Sequence, residues 1–191
     1  MLKIYRKNDE INKTFLYATL INFLIILCWI VIFKVNRSWV PEMVDYFHRH
    51  TFSERIGKNI IPGYSIISSI KNNGFSFSSD HFLNVLVFLP YGILLPFFFK
   101  KKNYFYTVLT VIASTLFFEL FQLFTLIGYF DTSDFITNIL GGCLGLLLYK
   151  YVFSKTKGGI INIISSTITV IASPVSVYAI VNTIIHIDYY I

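Results

Sequence analysis

Between Phe15 and Phe33 the chain carries no charged side chain, and no other feature limits its fold so severely. About 20 apolar residues are needed to cross a hydrocarbon core of about 30 Å, and this run is long enough. A secretory signal would show a shorter apolar core followed by a small-residue cleavage site. That pattern is missing here, so the run reads as an uncleaved first helix over 15–35. Comparable runs follow at His81–Phe99, Tyr104–Ile127, Asp134–Tyr151 and Ile160–Asn182. Of the 191 residues, 55% are hydrophobic and 14% charged, and the mean hydropathy of +0.65 is far from soluble averages. The expectation is all-α: a polytopic transmembrane helix bundle of about five spans. It forms a single membrane domain over 1–191, with 160–182 as an additional C-terminal helix.

A net charge of +6 would suit a nucleic-acid partner, but the basic residues sit in short segments between apolar runs, where they set topology instead. No nucleic-acid partner is expected. The N-terminal tail, Lys100–Lys102 and Lys150–Lys157 hold most of the 16 lysines and arginines. By the positive-inside rule this places the N-terminus inside and the C-terminus outside. The turn before Asp134 and the long connection over 36–80 then share the outer side. That connection is hydrophilic except for an apolar patch from Ile60 to Ile70 around Pro62, and short surface helices are expected in it. His48 and His50 point apart at i, i+2 and read as solvated rather than metal-binding. Cys28 and Cys143 match no metal or redox spacing and read as packing residues. In the last run, Ser165, Thr169, Ala172, Ser173 and Ser176 recur at helical spacing and favour close packing, and Pro174 is expected to kink it.

Polar residues interrupt the apolar runs at one depth. At 1.5 Å of rise per residue, Asn84 and Asn138 lie roughly 5–6 Å below the outer ends of their helices, and Gln122 and Glu119 roughly 7 and 12 Å below theirs. Asp131 and Asp134 stand at the start of the fourth span. A buried carboxylate at membrane depth costs a few kcal/mol, which makes Glu119 a functional candidate. Gly141 and Gly145 lie on the face of Asn138 and allow another backbone to approach closely. Plainer roles compete with function. Asp131 and Asp134 fit an N-cap and its capping partner, Asn84, Gln122 and Asn138 fit interhelical hydrogen bonding, and His81 reads as an ordinary interface residue.

The same residues form a pattern that resembles the VanZ-like membrane proteins. Asn59-Ile-Ile-Pro62 with Ser65-Ile66 resembles that family's Asn-Leu-Ile-Pro-Phe element, and Asn84-Val-Leu-Val-Phe-Leu-Pro90-Tyr-Gly92 its Asn-x-x-x-Phe-x-Pro-x-Gly element. Glu119-x-x-Gln122 and Asp131-x-x-Asp134-x-x-x-Asn138-x-x-Gly141 complete the set over 59–151. Many members carry an arginine where this chain has Gly128, so an acid–arginine pair is not carried over. The resemblance implies a multi-pass protein of the bacterial cell membrane. In the family's named member it implies a link to low-level resistance to teicoplanin, without a mechanism.

The leading functional expectation is an outward-facing polar pocket of Asn84, Glu119, Gln122, Asp131, Asp134 and Asn138. It would bind an amphiphilic antibiotic or an envelope-lipid head group as its membrane partner. No resident cofactor is expected, and a divalent cation enters only as a bridge between the acids and a phosphate. One alternative is an intramembrane enzyme with Glu119 as acid or base. Its parts are few, since the chain has no nucleophile elbow, zinc helix or phosphate-binding glycine loop. Another is an accessory subunit of a transporter, because no pseudo-repeat supports autonomous transport.

Overall fold

The computed structural model describes residues 10–32, 51, 57–73, 79–99, 104–125 and 130–185. Among them every regular element is a helix and no strand occurs. We label the α-helices α1 (Lys13–Ile32), α2 (Tyr64–Asn73), α3 (Ser79–Leu94), α4 (Tyr104–Thr125), α5 (Thr132–Tyr151) and α6 (Gly158–Ile185). Single 3₁₀ turns occupy Gly57–Ile60, Leu95–Phe97 and Phe153–Lys155. His48, His50, Trp39, Lys100–Lys102 and Gly128 lie outside the described residues, as do the side chains of Asn72, Asn73 and Asp80.

Four helices, α1, α4, α5 and α6, are long and apolar enough to cross a membrane, and His81–Phe97 forms a shorter apolar fifth. Its length has a physical remedy. The 16 residues of α3 rise about 24 Å, and the 3₁₀ turn over Leu95–Phe97 adds about 6 Å because that helix rises faster per residue. The sum matches a hydrocarbon core. Pro96 stands within this turn, where the lost N–H cannot break an α-helical ladder. At the other extreme, α6 runs for 28 residues through Pro174 without interruption, so it is longer than the core and must tilt or protrude. The five expected spans are therefore present, each within a few residues of its expected ends. Within 36–80, the apolar patch forms α2, preceded by the Gly57–Ile60 turn.

Two helix pairs form the bundle. The first is α3 with α5, joined at a glycine seam. A Cβ added at Gly141 or Gly145 would collide with the carbonyl oxygens of Val85 and Leu89, and one at Gly92 with the Gly142 carbonyl. The backbones touch directly, as small residues in membranes permit. Helix α4 lies against α5 in the opposite direction, and Gly142 faces Val111, whose Cγ1 would be 2.6 Å from an added Cβ. Phe88, buried completely, meets Tyr91 and Phe118 edge-on at 6.1 and 6.4 Å, and Leu27, Leu95 and Val111 complete this core. The Tyr91 hydroxyl hydrogen-bonds Ser114 at 2.9 Å.

The second pair, α1 with α6, is held by hydroxyls rather than glycines. Thr19 Oγ1 donates to Phe15 O or Ser165 O, at 2.8 and 3.0 Å, and lies 2.9 Å from Thr169 Oγ1. Ser176 donates to the Asn22 carbonyl at 3.2 Å, and Asn162 accepts from Asn12 N at 2.6 Å while donating to Glu10 O at 2.9 Å. Trp29 meets Tyr178 edge-on at 6.1 Å. These partners advance together along both helices, so α1 and α6 are parallel. The partners of α3 and α5 do the same. Tyr17 with Phe98 and Phe23 with Tyr91 run in opposite senses, which makes α1 antiparallel to α3. Helices α1, α4 and α6 thus point one way and α3 and α5 the other, as five successive crossings require.

Candidate functional site

The start of α3, the end of α4 and the start of α5 meet at one end of the bundle, and the predicted polar residues meet with them. Helix α5 begins there because Asp131, in an extended conformation, caps it by accepting a 2.7 Å hydrogen bond from Ser133 N. This satisfies one of the free N–H groups of the first turn. Asp134 stands in that same turn. It turns across to α3, where Asn84 Nδ2 donates to its Oδ1 at 2.6 Å. Asn84 Nδ2 also lies 3.4 Å from Thr137 Oγ1.

His81, expected to be an ordinary interface residue, is instead buried one turn before Asn84. Its Nδ1 lies 3.4 Å from Asp134 Oδ1, an ion pair when the ring is protonated, and its Nε2 lies 3.3 Å from Ser65 Oγ on α2. The connection before α3 is therefore part of the site. Thr132, the first residue of α5, ties it down further by directing its hydroxyl at the carbonyls of Asn59 and Ile61, at 2.7 and 3.0 Å. Gly57 and Gly63 bracket this segment with φ of +45° and +75°, a region that side chains disfavour.

Glu119 is 1% exposed, and its Oε2 accepts a 3.0 Å hydrogen bond from Asp131 N. The two acids thus meet through a backbone N–H and not through opposed carboxylates. A carboxylate that accepts from a backbone N–H in a buried place makes a charge-assisted bond, stronger than a neutral one. Gln122, one turn on from Glu119, is buried at the same level. Asn138 is buried on α5, and its Oδ1, like the Oγ of buried Ser133, has no hydrogen-bond partner among the described residues. Both atoms can accept a bond from a water or a ligand.

These contacts form two linked groups. Asn84, Asp134, His81, Ser65 and Thr137 form one, with Asp134 as its hub, and Glu119 with Asp131 forms the other. Helix α5 joins them through its cap and first turn. Asp134 retains 18% side-chain exposure, so the hub is reachable where Glu119 is sealed. Among the described residues, no three histidine, cysteine or acidic side chains cluster closely enough to hold a metal ion. Of the residues not expected in the site, His81, Ser65, Thr132 and Thr137, one had a legible signal. His81 stands one turn from Asn84 and hence on its face.

Five helical crossings with a half-buried acidic hub at one end define a polytopic membrane protein with a polar site at its interface. A family model for VanZ/LLP1 matches residues 20–154, and the chain belongs to that family. It is 30% identical to Protein VanZ of Enterococcus faecium over 127 residues, which cover 66% of this chain and 68% of that protein. No solved structure matches. The matched range takes in most of α1 and all of α2 to α5, and α6 lies beyond it.

Proposed function

We propose that this is a multi-pass protein of the bacterial cell membrane whose Asp134 hub binds the head group of an amphiphile at the outer face. The amphiphile is an envelope lipid or a lipid-bearing antibiotic. The observation that carries this reading is a carboxylate at the end of the spans, held by Asn84 and His81 and still open to solvent. Exposed negative charge set among buried donors favours a cationic group, such as an ammonium. The orphan acceptors of Asn138 and Ser133 would take N–H or O–H groups from the same ligand. Glu119 serves as a latch on the α5 cap, its Oε2 accepting from Asp131 N. The link of the family's named member to teicoplanin makes that antibiotic the first ligand to try, and a part in resistance follows only if it binds.

Purified protein titrated with fluorescent teicoplanin and with a fluorescent short-chain phosphatidylethanolamine tests this. Asp134→Asn is expected to weaken binding of at least one probe roughly tenfold, the loss of one charge-assisted contact. Equal binding by a correctly folded Asp134→Asn variant, or no binding of either probe to the parent protein, would refute the assignment.

A further inference from the structure

At the opposite end of the bundle, α1, α3 with its 3₁₀ turn, and α6 enclose a cavity of about 150 Å³. Its walls include Leu16 and Phe23 of α1, Ile93 and Phe97 near the end of α3, and Ile161 and Ile164 of α6. Two hydroxyl residues also border it, Thr19 and Ser165. The Thr19 hydroxyl is turned into the α1–α6 seam as described above, and that of Ser165 donates back along α6 to Asn162 O at 3.2 Å. The wall therefore presents carbon alone. Along each helix the lining extends over eight residues, from Leu16 to Phe23 and from Ile161 to Ile168, a rise of about 10 Å. The space is tall, narrow, apolar and partly open, the shape of a short length of hydrocarbon chain.

Charge above the cavity is predominantly basic, three lysines against Glu10, whose carbonyl accepts from Asn162 of α6. Lys13 precedes Leu16 by three residues on α1 and shares its face, and Lys157 immediately precedes α6, its carbonyl accepting from Ile161 N at 3.2 Å, so both stand about one turn nearer the membrane surface than the lining. Both lysines are exposed, and Lys155 follows the lining residue Phe153 by two. No acidic residue lies between Lys150 and Ile185.

We propose that this cavity seats an acyl chain of an anionic phospholipid whose phosphate rests on Lys13 and Lys157. An apolar void of this size next to lipid costs packing energy if empty, and a chain from the adjoining leaflet fills it without desolvating any polar group. The lysines select the anionic head group. The site is independent of the Asp134 hub, and either assignment stands if the other fails.

The test uses full-length protein irradiated with phosphatidylglycerol or phosphatidylcholine carrying a diazirine in the acyl chain, followed by mapping of the crosslinked residues. Phosphatidylglycerol is expected to label Leu16–Phe23 and Ile161–Ile168 above the lipid-exposed face at Val170, Ile171 and Val177. Labelling should fall roughly tenfold in Lys13→Gln/Lys157→Gln, which leaves the core untouched. Ile164→Trp, filling the void, should abolish cavity labelling while the lysines remain. The proposal is overturned by labelling spread evenly over the exposed faces, by equal labelling from phosphatidylcholine, or by crosslinks to a second copy of the chain at these positions. If Ile164→Trp does not fold, the lysine pair alone decides.

Discussion

Asp134 shows how one side chain organises its surroundings. It receives Asn84 from α3 and His81 beside it, so removing a donor leaves a half-buried acceptor short of a partner. Asn84→Ala is expected to destabilise the bundle by about 0.6–2 kcal/mol, the range for interhelical hydrogen bonds in membranes, measured by unfolding in mixed detergent. Thr132→Ala loses both carbonyl contacts to the Asn59–Ile61 segment and should leave the spans intact while raising protease cleavage within 57–73 several-fold. Unchanged cleavage would mean that the segment is held otherwise. At this scale the sequence was partly legible. Asn84, Glu119, Gln122, Asp134 and Asn138 stood out because polar atoms in apolar runs have few innocent explanations. Their pairing was hidden, since the spacing of Asp131 and Asp134 matches a local capping partnership as well as the observed reach of Asp134 to another helix. His81 was hidden because a histidine at a span end is ordinary until Ser65 is seen to cover it.

Among the elements, the glycines of α5 and those of the α2 connection are constrained for different reasons, and substitution separates them. At Gly145 a side chain meets the backbone of Leu89, which cannot move without parting α3 from α5. Gly145→Val is expected to cost more than the roughly 1–3 kcal/mol typical of overpacking, seen as loss of monodisperse, folded protein. Gly63 has open space around it but a positive φ, so Gly63→Ala should cost only about 1–2 kcal/mol in the same unfolding measurement. A reversal of that order would contradict the seam. All five spans were legible from apolar run length, and the seam from the spacing of Gly141 and Gly145. Helix α2 was less legible, because ten residues with serines and asparagines among isoleucines satisfy an irregular surface stretch as readily as a helix.

For the molecule as a whole, the direction of the helices is a stronger constraint than their number. Parallel pairing of α1 with α6 and of α3 with α5 requires Asn12 and Ser154 on one side of the membrane and Thr132 on the other. Single cysteines at these positions should label with an impermeant maleimide from opposite faces, and the positive-inside rule predicts that the lysine-bearing face is the one protected in intact cells. Labelling of all three from one side would break the arrangement. The succession of apolar runs made the alternating direction legible, whereas nothing in the linear order announced that the first and last spans would be partners.

That partnership has a consequence in time. Helix α1 leaves the ribosome first, and its mate α6 is not complete until more than a hundred further residues have been made, on the order of ten seconds later at ordinary synthesis rates. Throughout that interval Thr19 and Asn22 keep only their partners within α1, the carbonyls of Phe15 and Ala18, and the contacts of Thr19 to Ser165 and Thr169 are still unmade. Nascent chains stalled before Gly158 should therefore be held longer by insertion chaperones than chains that include α6.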